Sequence, residues 1–252
     1  MKTIILGALA IISCNCLAAQ PLVNDDTIKE KILQKYQLTL SDDVKVEKTD
    51  YPHMWALRTT QPTKYPAYVD ENLEFTINFP DAQGLVAHIS DDNKSAILTS
   101  RRQQLANAIP LDKFIAIKNS TPFVAIVYST PQCPYSQKME AYLNKHGISY
   151  FVAPTSLNNE GVKWAEKIFC SKNKARAWLN AMTQQLDGDG GYCGKLPYQA
   201  AEDMAYMLMP DGNHRPGVPA VFFADGSSVS GWDQKSVEML QSKIGGKIFF
   251  NK

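Results

Sequence analysis

An apolar run, Phe123-Val124-Ala125-Ile126-Val127-Tyr128, is followed shortly by Cys133-Pro134-Tyr135-Ser136 and then by a helix-like stretch. The run reads as a buried-type strand, and a proline directly after the cysteine suits the first turn of a helix, where its missing N–H is not needed. The four residues form a C-x-x-C motif whose second cysteine is serine. In such a pair the first cysteine attacks disulfides and the second releases the attacker from a stalled mixed disulfide. This chain can make the attack and cannot close a local disulfide.

At the start of a helix Cys133 would be favoured as a nucleophile, because the unpaired amides and the helix dipole stabilise a thiolate. Ser136, three residues on, is expected to donate its hydroxyl to the sulfur, but it cannot attack a mixed disulfide. A second element lies far along the chain. Arg215-Pro216-Gly217-Val218-Pro219 precedes the apolar run Ala220-Val221-Phe222-Phe223. A thioredoxin fold places a cis-proline loop facing the active cysteine at such a point, and a cis bond at Pro219 would expose the Val218 backbone to pair with an extended substrate segment beside the thiol; a plain trans-proline turn is the alternative.

Met1-Lys2-Thr3, the apolar stretch 4–12 and the small-residue exit Leu17-Ala18-Ala19 have the form of a secretory signal peptide over residues 1–19. A lipobox-like reading, with Cys14 lipidated, is the alternative. Loss of the leader removes one charge, Lys2, so a formal net charge of +1 falls to zero, which argues against nucleic acid or an anionic membrane as partner. Of five cysteines, Cys133, Cys170 and Cys193 remain, in an oxidising compartment. Pairing Cys170 with Cys193 closes a loop of roughly 24 residues, worth about 3 kcal/mol, and leaves Cys133 free. A bridge from Cys133 to either partner is the competing arrangement.

The pattern predicts a helix over 27–37 after cap candidates Asn24, Asp25 and Asp26. Strands follow at 44–48, 54–59, 68–69, 73–79 and 85–90, which together make one helix on a small antiparallel sheet. A helix over 96–109, stopped by Pro110, reads as a connector. Beyond it come a strand at 123–129, a helix at 134–146 ended by Gly147, a strand at 148–153, and a helical stretch at 160–185 carrying Cys170. A helix at 198–209, a hairpin around Asp225-Gly226 and a closing helix at 234–244 complete the order of a thioredoxin fold with a helical insertion. His53, His88, His146 and His214 are too scattered for a metal site, Asp187 to Gly191 is a flexible turn, and no cofactor is called for.

With these residues the chain resembles the DsbC/DsbG group of bacterial periplasmic disulfide isomerases. The resemblance rests on Cys133-Pro134-Tyr135-Ser136 after a strand, on Lys163-Trp164-Ala165-Glu166-Lys167-Ile168-Phe169-Cys170-Ser171-Lys172-Asn173-Lys174-Ala175, on Cys193, and on Gly217-Val218-Pro219-Ala220-Val221. It implies an α+β chain: a cystatin-like dimerisation domain at 20–92, a linker helix at 93–112, and a thioredoxin-like domain at 113–252 with a helical insertion. It also implies a periplasmic homodimer acting on unfolded or misoxidised secreted proteins, a membrane thiol reductant, and a structural disulfide between Cys170 and Cys193. Cys133 and Ser136 then occupy the catalytic positions, and Pro134, Tyr135, Val218 and Pro219 the substrate-binding ones. Two positions depart from the family. Ser136 replaces the second cysteine, and Val218 stands where threonine is usual. The function expected is disulfide interchange through one nucleophilic cysteine. A redox-inactive chaperone or binding module on the same fold is the alternative.

Overall fold

The computed structural model describes residues 24–59, 66–74, 76–77, 100, 102–185, 198–208 and 217–250. Helix α1 (Asp25–Tyr36) starts where Asn24, in extended backbone, accepts a hydrogen bond from the Thr27 amide at 2.8 Å. Asp25 and Asp26 in its first turn complement the positive end of the helix dipole. Ile28 and Ile32, one turn apart, are fully buried against Val46, Trp55, Leu57 and Val69. Each contributes roughly 1.5–3 kcal/mol of hydrophobic stabilisation.

Those partners belong to a four-stranded antiparallel sheet whose strands lie in chain order: β1 (Val44–Lys48), β2 (Met54–Thr59), β3 (Ala67–Asp70) and β4 (Thr76–Ile77). Val46 pairs with Leu57, and Ala56 with Tyr68. The strand expected from Leu73 begins later. Leu73 sits at φ 54°, and its carbonyl accepts hydrogen bonds from Lys35 Nζ at 2.5 Å and Tyr36 Oη at 2.8 Å, so the chain turns there to satisfy α1. The strand expected at 85–90 lies outside the described residues. Of the helix expected at 96–109, a segment α2 is described over 102–107.

A second sheet has the order β5-β7-β6-β8-β9, formed by β5 (Ile115–Ile117), β6 (Phe123–Ser129), β7 (Ser149–Pro154), β8 (Ala220–Phe223) and β9 (Ser228–Ser230). Only the β6–β7 pair is parallel. That pair is joined by α3 (Pro134–Lys145), giving the β-α-β unit read from the sequence. The edge strand β5, too short to show a pattern, was not expected.

Residues of β6 alternate between two cores, as a period-two strand buried on both faces must. Ile126 and Tyr128 face a cluster with Phe151, Phe222, Met204 and Ala205. Ala125 and Val127 face Met139, Leu143, Trp178 and Leu240, from α3, α5 (Lys174–Met182) and α7 (Gln234–Gly245), and Val124 joins them where a register shift between Phe123 and Ala125 interrupts the alternation. The first cluster also contains Met54, Ala56 and Tyr68 of the N-terminal sheet and Tyr51 of the turn between β1 and β2, together with Leu105, Ala106 and Ile109. Thus α2 and α6 (Tyr198–Leu208) lie between the two sheets. The N-terminal sheet is buried on both faces, by α1 on one side and by this shared core on the other.

The helical stretch expected over 160–185 is two helices. α4 (Asn159–Cys170) ends at Ser171, whose backbone is extended at φ −67° and ψ 146°, and Asn173 restarts helix as the cap of α5 by accepting the Arg176 amide at 3.0 Å. Among the described residues no helix is long and apolar enough to cross a membrane.

Candidate active site

Cys133 is the N-cap of α3, with Pro134 at the first helical position. Its backbone is extended, at φ −97° and ψ 118°, and its side chain makes no capping hydrogen bond to the helix. The Gln137 amide donates to the Cys133 carbonyl at 3.1 Å, and the Cys133 amide donates to the Thr130 carbonyl at 3.2 Å, which fixes the turn on both sides. Cys133 is a free thiol, 7% exposed.

The peptide bond between Val218 and Pro219 is cis, and the Val218 carbonyl faces the sulfur. The Cys133 thiol donates to it at 3.5 Å, across 85 residues of sequence. Because β8, which starts at Ala220, pairs antiparallel with β6, the sheet carries the residues before Ala220 to the end of β6 from which the Cys133 loop springs. Pro219 is buried and Val218 half-buried, while Tyr135 is exposed with Lys138 Nζ 5.4 Å from its ring centroid. The structure thus brings Cys133 and Val218 together, with Pro134 and Tyr135 following the cysteine and Pro219 following the valine.

Ser136 departs from expectation. Its side chain is wholly buried and its hydroxyl has no hydrogen-bond partner, so it does not donate to the Cys133 sulfur. Ser136, at the third position of the helix, is packed inside the domain rather than bonded to the sulfur. Away from the thiol, Cys170 is disulfide-bonded at the end of α4. Cys193, Asp187 to Gly191, His88 and His214 lie outside the described residues. His146 is the C-cap of α3, followed by Gly147 at φ 66°.

Two features of the site carried no recognisable sequence signal. Gln132, just before the cysteine, accepts the Leu157 amide on Oε1 at 3.1 Å and donates from Nε2 to Asn158 Oδ1 at 2.9 Å. The loop after β7 is thereby tied to the Cys133 loop. Glu140, seven residues into α3, is buried beneath, accepting Trp178 Nε1 at 2.9 Å and the Tyr150 hydroxyl. Burial pushes its carboxyl up to about 7, against the hydrogen bonds from Tyr150 and Trp178.

Residues 125–168 match the Glutaredoxin family model. No curated protein matches the chain. Among solved structures it is similar to a disulfide interchange protein from Neisseria gonorrhoeae, at 21% identity over 53% of this chain and 96% of that one, with a TM-score of 0.45. It is also similar to DsbG of Helicobacter pylori, at 16% identity over 78% of this chain and 99% of that one, with a TM-score of 0.34. The Glutaredoxin match, the strand order of the second sheet, the cysteine capping α3 and the cis proline ahead of β8 make the C-terminal part of this chain a thioredoxin-like domain.

Proposed function

We propose that this protein is a thiol:disulfide interchange protein that acts on misoxidised secreted proteins through Cys133 alone. The observation that carries the reading is the free thiol of Cys133, at the N-terminus of α3 and 3.5 Å from the Val218 carbonyl. The Cys133 thiolate attacks one sulfur of a client disulfide; a bond forms between Sγ and that sulfur, the client S–S bond breaks, and the other client sulfur leaves as a thiolate. A second client thiolate then attacks the client sulfur of the mixed disulfide and expels Cys133 as thiolate. One client disulfide is exchanged for another with no net electron transfer, which is isomerisation. Ser136 contributes no second thiol, so release depends on a client thiol or an external one.

In this proposal the Cys170 bridge is structural and closes on Cys193, the chain works in the periplasm after loss of residues 1–19, and it pairs as a homodimer. Scrambled disulfide substrates should recover activity with the wild-type protein and not with Cys133→Ala, and non-reducing gels should show adducts that require Cys133. Recovery that persists in Cys133→Ala would sink the reading. A client-holding role without turnover is the second reading, favoured by the exposure of Tyr135 beside the thiol. It requires suppression of aggregation that survives Cys133→Ala.

A further inference from the structure

The large apolar side chains most exposed among the described residues are Tyr135, at 58%, and Leu157, at 53%. Tyr135 follows Cys133 by two residues. Leu157 comes from a different element, the loop between β7 and α4, and its backbone is tied to Gln132, the residue before Cys133. The Leu157 amide donates to Gln132 Oε1, and Gln132 Nε2 donates to Asn158 Oδ1, the same oxygen that caps α4 by accepting the Gly161 amide at 3.0 Å. Gly161 leaves the space this requires, since a Cβ there would stand 2.0 Å from Gln132 Oε1. On the same loop Thr155 and Ser156 are 2% and 8% exposed. The loop is thus packed and hydrogen-bonded, and it still leaves a leucine half in water.

A mixed disulfide fixes what can reach that leucine. It holds the client cysteine Cα ~5.5–6 Å from the Cα of Cys133, and the next client residue lies one ~3.8 Å step further. Gln132 immediately precedes Cys133 and holds the Leu157 loop by two hydrogen bonds, so a client residue one step from the reacting cysteine is within reach of that loop as well as of Tyr135. We infer that Leu157 is a specificity-determining residue which, with Tyr135, takes a large apolar side chain adjacent to the reacting cysteine of an extended client segment. Gln132 acts as the positioning residue that holds Leu157 there. The inference rests on the reading of Cys133 as the nucleophile and names the class of client it prefers.

The test compares two short cysteine peptides, each carried as a mixed disulfide with an aromatic thiol leaving group, identical except for Leu or Ser next to the cysteine. Release of the aromatic thiol gives the second-order rate constant, and the Leu-to-Ser ratio is read within each variant so that a general loss of reactivity cancels. Wild type should prefer the Leu peptide about tenfold. Leu157→Ser should bring the ratio near one, Leu157→Met should keep it, and Gly161→Ala, which displaces the Gln132 side chain and leaves Leu157 intact, should reduce it several-fold. A wild-type ratio near one, or a ratio unmoved by both Leu157→Ser and Gly161→Ala, overturns the assignment. Peptides that react in Cys133→Ala as fast as in wild type, or with neither protein, overturn the reading of Cys133 along with it.

Discussion

The guanidinium of Arg58 lies 2.6 Å from the carboxylate of Asp203, joining β2 to α6 across 145 residues of sequence. The Asp203 side chain is 1% exposed and its Oδ1 also accepts from the Tyr68 hydroxyl at 2.9 Å and from Gln199 Nε2 at 3.0 Å. Burial holds the Asp203 carboxyl above its usual range in spite of the guanidinium beside it. A carboxylate sealed between two sheets is costly to leave alone. Arg58→Ala should therefore destabilise the protein by about 3–5 kcal/mol, while Arg58→Leu combined with Asp203→Leu should recover most of that loss. Urea unfolding measures both. A cost below about 1 kcal/mol for Arg58→Ala would mean that water reaches Asp203 and that the two sheets are not held by this pair.

Glu140 gives stability a pH dependence of definite sign. Its carboxyl titrates near 4.5 when unfolded and at about 7 in the fold, because burial disfavours the charge. Between those values the folded protein keeps a proton that the unfolded chain gives up, so stability is fully present below pH 4.5 and is lost as pH rises toward 7. At ~1.4 kcal/mol per pH unit the loss amounts to about 3 kcal/mol. Glu140→Gln can still accept from Trp178 and meet the Tyr150 hydroxyl, and it removes the titration. The variant should unfold at higher urea than wild type at pH 8, with the difference vanishing near pH 4. Parallel curves across that range would show that Glu140 is not the responsible group.

What the sequence could disclose about this site follows from the range of the forces involved. The capping role of Cys133, the first-turn Pro134 and the buried strand β6 obey rules that act over a few residues, and each was readable where it stands. Val218 could be placed opposite Cys133 only through resemblance, since β8 must first pair with β6. Arg58 and Asp203 each look like an ordinary surface charge, because nothing local records a partner so far along the chain. Glu140 sits in a helix whose pattern allows it to face water, and only Trp178 and Tyr150, from α5 and β7, make an inward glutamate affordable. Leu157 looks like one more apolar residue in a loop until Gln132 fixes its direction. For Ser136 the residue type was informative and its orientation was not, since packing beneath the loop decides where the hydroxyl points.

That orientation sets the outcome of restoring a second thiol. The Ser136 side chain is completely buried with an unpartnered hydroxyl, a defect worth about 1–3 kcal/mol when no hydrogen bond compensates it. A thiol is a weaker donor and sits more readily among apolar atoms, so Ser136→Cys should stabilise the reduced protein by about 1 kcal/mol. Ser136→Ala should do so to a similar extent. The two variants then diverge in chemistry. With Ser136→Cys the new thiol, three residues from Cys133, is expected to attack the Cys133 sulfur of a mixed disulfide, expel the client as a thiolate and leave a disulfide within the motif. Adducts that accumulate in the wild type should decay in this variant and persist in Ser136→Ala, as a time course of non-reducing gels would show. If adducts persist equally in both, the buried position is out of reach of Cys133 and the serine is there for packing. Decay confined to Ser136→Cys would instead show that a second thiol at this position is enough for release from clients, and that the serine is what withholds it.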